Sequence, residues 1–332
     1  MNSKTAIALA CGVLASAVGL AHPSTGSGWP EPVEGQVPGA APQTQPPPDP
    51  TREMTAPDIP GVVAGGTKVQ FIRAGFNGTE GVIAMPDGSV LFTEQDANKI
   101  IRIDPAGHIS TYLEDTNRTI GLAYDSKGRL IAAQSREPRI GVLHPTRAVL
   151  ADSFEGQPLV RHNDLVIDKK GGIYFTDPIP GAQQQFRDPP AGRKPLLFYI
   201  TPAGKVTKLT EYITAPNGVQ LSPDEKILYA SNGNHIVAFD VQPDGSVKNP
   251  RKFADSGGDG MAVDNAGRLY TAVGDGIRVI SPQGQILGTI PTPVGMQSIG
   301  FAGRDKKTLF AVGRGAAYRI SMLAEGIRSR AK

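Results

Sequence analysis

The sequence predicts an all-β fold: a six-bladed β-propeller, with four-stranded blades around a central channel. Three observations predict it. A strand–turn–strand phrase recurs six times, its spacing matches that of propeller blades, and further strand pairs joined by Pro- and Gly-containing turns fill the intervals.

The clearest copy of the phrase is RHNDLVIDKKGGIYFTDP, residues 161–178. Leu165 and Ile167 alternate with polar or outward positions, Lys170-Gly171-Gly172 forms a turn, and Ile173 and Phe175 begin a second strand. The other copies start at Glu80, near Gly121, at Asn217, at Asp259 and at Ile299. The second place of the phrase is Gly81, Gly121, Asp164, Gly218, Gly260 and Gly300, in steps of about 40 to 54 residues. The longest step contains an insertion, Ile179–Lys194, rich in Pro, Gly and Gln and a candidate lid over the channel.

Between phrases come Ile100–Ile103 with Ile109–Leu113, Leu196–Ile200 with Val206–Leu209, Ile236–Phe239 with Val247–Phe253, and Ile277–Ile280 with Ile286–Ile290. Turns such as Pro105-Ala106-Gly107 and Pro243-Asp244-Gly245 join them. A solenoid shows a similar periodicity, but its repeats are usually shorter and need caps. The tail Ser321–Ala331 is the main helix candidate.

Before the repeats, Lys4 precedes an apolar run, Ala6 to Ala17, of about a dozen residues, too short to span a bilayer comfortably. Residues 1–21 are therefore expected to be a signal peptide, cleaved after Ala17 or Ala21, and the protein to be periplasmic or secreted. Cys11, the single cysteine, lies in that run, so the mature chain is expected to have no thiol or disulfide chemistry. Residues 22–66 contain Pro-Pro-Pro-Asp-Pro, the only tryptophan and no apolar period, and are expected to be an unpacked linker. The propeller is expected over 67–332.

The chain is 39% hydrophobic and 20% charged, with 40 glycines, 29 prolines and a net charge of +3, the composition of a globular protein built from many short strands. It has no basic run interleaved with aromatics, which argues against nucleic acid as a partner. No membrane partner is expected after signal removal, and the protein is expected to be a monomer or weak homo-oligomer.

The repeat register carries the chemistry. The residue before the second place occupies an equivalent position at the mouth of the channel in every blade. These residues are Glu80, Ile120, Asn163, Asn217, Asp259 and Ile299. Two carboxylates and two amides form a hard-oxygen set that suits one divalent ion, calcium first, with magnesium, manganese or zinc admissible if waters complete the shell.

At these residues the chain resembles the senescence-marker-protein/gluconolactonase family of six-bladed propellers. The matching pieces are Glu80-Gly81, Asn163-Asp164-Leu165 through Phe175-Thr176-Asp177-Pro178, Pro216-Asn217-Gly218, and Asp259-Gly260-Met261. The resemblance covers most of 75–322. It implies a lactone hydrolase with one channel metal held by Glu80, Asn217 and Asp259, joined in several members by Asn163. It also implies that Arg161 holds substrate, alongside Asn163, and that the base is Asp164, as proposed for the drug-responsive lactonase branch, or Asp259, as in the sugar-lactone branch. The Tyr174–Pro178 phrase is closer to the bacterial lactonase branch. Because metal ligation lowers carboxylate basicity, Asp164 is the favoured base at this point.

The remaining polar residues have plainer readings. His162, next to Asn163, points to the other strand face and is expected to be packed or exposed. His235 is expected at the surface, Asp177 to cap a turn, and Asp87, Asp224 and Asp264 to be turn residues. Ser231 and Ser298 lack a nucleophile elbow. Alternatives of other classes are a non-enzymatic periplasmic propeller with a structural calcium and a strictosidine-synthase-like enzyme. A quinone-dependent dehydrogenase is disfavoured by the absence of tryptophan from the propeller region.

Overall fold

The computed structural model describes residues 48–178 and 192–329. The expected signal peptide, most of the expected linker and most of the Ile179–Lys194 insertion lie outside the described residues. Six four-stranded antiparallel sheets are present among the described residues, with one extra hairpin of Ser153–Phe154 and Gln157–Pro158. The innermost strands of blades 1 to 6 are Thr79–Ala84, Thr119–Tyr124, Leu165–Ile167, Pro216–Leu221, Met261–Val263 and Ser298–Ala302. Each touches the next, and the last touches the first, so the ring is closed. That closure excludes the solenoid. The strand pairs expected between the phrases appear with ends shifted by a residue or two.

Closure packs the blades face to face, so each blade is covered on both faces by its neighbours. The strands consequently read as continuous apolar runs, such as Leu130–Gln134, buried throughout. The core consists of layers between blades. Ile83, Leu91 and Ile100 of blade 1 meet Leu122, Leu130 and Leu143 of blade 2. Val166, Tyr174 and Leu197 of blade 3 meet Val219, Leu228 and Val237 of blade 4. Each such side chain contributes about 1.5–3 kcal/mol through burial.

The hairpin aspartates cap their turns. Asp264 accepts the N–H groups of Ala266 and Arg268 at 3.0 and 2.9 Å and the Tyr270 hydroxyl at 2.8 Å. Asp87, Asp125, Asp168 and Asp224 accept turn N–H groups in the same way.

Three features depart from expectation. The last blade takes its outermost strand, Gln70–Ala74, from the start of the domain, so the two ends of the propeller close on each other. Residues 48–66, expected to be unpacked, are packed: Ala56, Ile59, Val62 and Val63 are buried in the core of blades 5 and 6. The tail is not helical among its described residues. Its N–H groups go elsewhere: Leu323 and Ala324 donate to the Val62 carbonyl at 2.9 and 3.1 Å, and Gly326 to that of Lys306 at 2.9 Å. With Met322, Ala324 and Ile327 buried against the blades, the tertiary contacts outweigh helix propensity.

Candidate active site

The site lies where the innermost strands begin. In blades 1, 2 and 4 the inner pairing is irregular just after Glu80, Thr119 and Pro216. Such bulges re-aim side chains beside functional sites. The glycine of the repeated phrase is needed here because neighbouring blades approach closely. A Cβ on Gly81 would stand 2.1 Å from the Ile120 carbonyl oxygen, and one on Gly218 would stand 2.1 Å from that of Asp259. In blade 3 the glycine is replaced by Asp164, whose carboxylate bridges the gap. Its Oδ2 accepts the Val219 N–H of blade 4 at 3.0 Å and its Oδ1 accepts the Leu165 N–H at 2.9 Å. Ser298 plays a similar part between blades 6 and 1, its Oγ accepting the Val82 N–H at 3.0 Å.

Glu80, Asp164 and Asp259 are close enough for their charges to act on one another. Burial, then Asp259 and Asp164, raise the Glu80 pKa well above the carboxylate range, against the opposing pull of Arg161 and Gln297. Burial, then Asp164, push Asp259 up to about 7, against its hydrogen bond with Asn217 and the charges of Arg161 and Arg314. Arg161 is half-buried and feels both Glu80 and Asp259; its own pKa is lowered, chiefly by burial.

The segment carrying Arg161 is fixed from below by Asp177. One carboxylate oxygen accepts the Val160 and Arg161 N–H groups at 3.2 and 2.7 Å. Asp177, almost wholly buried, pairs with Arg193 at the end of the insertion. His162 is fully buried, stands edge-on to Phe175 with centroids 5.1 Å apart, and has Nδ1 3.6 Å from Asp177. Burial lowers its pKa to about 4, so it is neutral near pH 7. Thus His162 is packed and Asp177 caps the backbone. His235 is half-buried, with Nδ1 3.1 Å from Asn234 Oδ1.

The sequence register named Glu80, Asn163, Asn217 and Asp259, with Arg161 and Asp164. The structure sets Asn163 beside Asp164 at the start of the blade 3 inner strand, with its N–H donating to the Thr176 carbonyl at 3.2 Å. Ile299 packs in the core of the last blades, while Gln297, missed in the sequence, donates from Nε2 to Glu80 Oε1 at 3.2 Å. Gln297 precedes the inner strand of the last blade, so the register, which points to Ile299, does not reach it. Arg314, in the turn between the second and third strands of the last blade, was also missed.

Asn217 Oδ1 and Asp259 Oδ1 are buried and accept no hydrogen bond among the described residues. Buried oxygens without donors are costly, and three converging carboxylates add unfavourable charge. Both costs are relieved by a hard divalent cation, so the residues fit such an ion. Among the described residues no three His, Cys, Asp or Glu side chains form a cage by themselves; the donor set that converges mixes carboxylates with amides. Beside Asn217 a cavity of about 360 Å³ opens between Pro178, Pro195, Pro216, Gly233 and Gly258, a volume suited to a small organic molecule.

Closed six-bladed topology and a buried oxygen cluster at one mouth define a propeller with a polar, ion-suited channel site. Residues 78–312 match the model of the SMP-30/Gluconolactonase/LRE-like region, and the chain belongs to that family. It is 26% identical over 268 residues to a gluconolactonase of Zymomonas mobilis, covering 71% of this chain and 75% of that protein. It is 27% identical over 238 residues to lactonase drp35 of Staphylococcus haemolyticus, covering 64% and 69%. Among solved structures, a gluconolactonase from Xanthomonas campestris superposes with a TM-score of 0.74 at 25% identity, covering 83% of this chain and 96% of that one.

Proposed function

We propose that this protein is a metal-dependent lactonase that opens a lactone ring to its hydroxy acid, with one divalent ion, calcium first, held by Glu80, Asn163, Asn217 and Asp259. The observation that carries this reading is the pair of buried, unpartnered oxygens on Asn217 and Asp259 amid three mutually repelling carboxylates. The lactonases and gluconolactonases among the relatives support the reaction class. A bound divalent ion there supplies Lewis acidity to a carbonyl and lowers the pKa of water.

The chain's own residues do the rest. Arg161 offers hydrogen bonds to the substrate's oxygens and to the carboxylate of the product. Asp259, whose buried Oδ1 accepts no hydrogen bond among the described residues, takes the proton of the attacking water. The water oxygen bonds to the carbonyl carbon, the ring C–O bond breaks, and the proton passes to the departing ring oxygen, which leaves as a hydroxyl. Asp164 was the favoured base by sequence. Its carboxylate accepts one N–H across the blade boundary, from Val219, and one from its own neighbour Leu165, which suits it to holding blades 3 and 4 together. The apolar N-terminal run and small residues after it support a periplasmic or secreted location.

The test is hydrolysis by the purified protein of a panel of sugar, aliphatic and aromatic lactones, before and after chelation and metal add-back. We expect chelation to abolish turnover and calcium to restore it. Asp259→Asn is expected to lower kcat by about 10²–10⁴-fold, and Asn217→Ala to weaken metal affinity. Folded, metal-loaded protein without turnover on any lactone would overturn the reading in favour of a binding propeller. Asp259→Asn with full turnover would remove Asp259 as the base.

A further inference from the structure

The innermost strands lead away from the site to the opposite mouth of the channel. Glu80 and Met85 bracket the blade 1 strand, a separation of about 16 Å at the rise of a β-strand. At that far mouth is a cavity of about 560 Å³, within the range of small-molecule sites. Its apolar lining includes Met85, Tyr124 and Ile167, and its basic side chains are Lys169, Arg304, Lys306 and Arg328.

The charges there are unbalanced. The acids lining the cavity, Asp125 and Asp168, are already engaged. Asp125 accepts the Lys127 and Arg129 N–H groups at 3.0 and 2.9 Å and the Arg129 Nε at 2.7 Å. Asp168 accepts the Lys170 and Gly172 N–H groups at 2.9 and 2.8 Å and the Tyr199 hydroxyl at 2.8 Å. Arg328 pairs with Glu325 at 2.7 Å and donates to the carbonyls of Arg304 and Asp305 at 3.1 and 3.3 Å. Among the described residues, Lys169 Nζ donates to the Pro223 carbonyl at 3.4 Å. Arg304 and Lys306 form no ion pair among the described residues.

Lys306 is half-buried on a fixed backbone. Its N–H donates to the Gly303 carbonyl at 3.2 Å and its carbonyl accepts from Gly326 at 2.9 Å. Burial and the nearby Arg328 cation lower its pKa to about 8. A partly desolvated ammonium beside another cation, with no ion pair among the described residues, is the environment a bound anion relieves.

We propose that this second mouth is a binding site for a small phosphate-bearing solute, its oxyanion held by Lys306 and Arg304 and its body lying over Met85, Tyr124 and Ile167. A multiply charged oxyanion is favoured over a single carboxylate because two cations without acidic partners converge from one loop, with Lys169 and Arg328 adding to the same field. The site is separate from the lactonase site and does not depend on that reading.

The test is isothermal titration of the full chain with glucose 6-phosphate, inorganic phosphate and glucose, at constant ionic strength in phosphate-free buffer. We expect saturable binding of both phosphate compounds and none of glucose. Tighter binding of glucose 6-phosphate would place the body in the cavity, whereas equal affinities would assign recognition to the oxyanion alone. Lys306→Met and Arg304→Met are each expected to weaken binding about tenfold or more, with metal affinity at the other mouth unchanged. Lys306→Glu is expected to abolish binding. Absence of saturable binding, or affinities unchanged in all three variants, would overturn the proposal.

Discussion

At the residue scale, one side-chain choice decides whether neighbouring blades can meet. Gly218 leaves room for the Asp259 carbonyl; a Cβ there would stand 2.1 Å from that oxygen. Gly218→Ala is expected to cost about 1–3 kcal/mol by forcing blade 5 outward, seen as a lower denaturant midpoint, and to displace Asp259 and lower activity with it. His162 makes a second prediction. Its folded pKa, about 4, lies below the unfolded value near 6.5. Above pH 6.5 neither state takes up the proton. As pH falls from 6.5 toward 4 the unfolded chain is protonated first, so stability is lost by up to about 3 kcal/mol. Measured from pH 7 to 4.5, the unfolding free energy of His162→Gln should fall less steeply than that of the parent, and parallel slopes would refute this. Asp164 shows why a residue's place in a motif does not fix its role. The register locates it at the mouth, but only the interblade Val219 contact shows that its oxygens are engaged.

At the element scale, the segment 160–163 has few backbone hydrogen bonds of its own and depends on Asp177. That carboxylate holds the Val160 and Arg161 N–H groups and is balanced by Arg193 from the far end of the insertion. Arg193→Met would leave a buried carboxylate without its cation. The expected cost is about 3 kcal/mol, with a raised KM because Arg161 loses its fixed backbone. Adding Asp177→Asn should recover part of the stability but not the KM. A double variant whose losses simply add would show that the two side chains act independently. The Thr-Asp-Pro ending of the phrase was legible in sequence as a turn cap; its pairing with Arg193, sixteen residues on, was not.

At the scale of the whole molecule, the ring is closed by a strand that carries no trace of the repeat. Gln70–Ala74 is short, exposed along one side and lacks the phrase, so nothing local marks it as part of the last blade. A chain starting at residue 78 contains the whole family-matched region but lacks this strand and the packed segment before it. It is expected to fail to fold, whereas one starting at residue 48 should unfold cooperatively. Residues 48–66 look like linker because proline and glycine disguise four apolar side chains that become buried only when the ring is complete. Equal melting temperatures for the two truncations would show that the closure adds nothing.

The sequence by itself determined the blade number, the order of the blades and the register that brings Glu80, Asn163, Asn217 and Asp259 to one mouth. Those features repeat along the chain, and a repeat in sequence becomes a rotation in space. The tertiary structure alone decided which strand closes the ring, how the N-terminal segment and tail pack, and that Asp164 is engaged while Asp259 keeps a free buried oxygen. These depend on contacts between residues far apart in the chain, where a hydrogen bond or a buried methyl group belongs to a neighbour that no local pattern names.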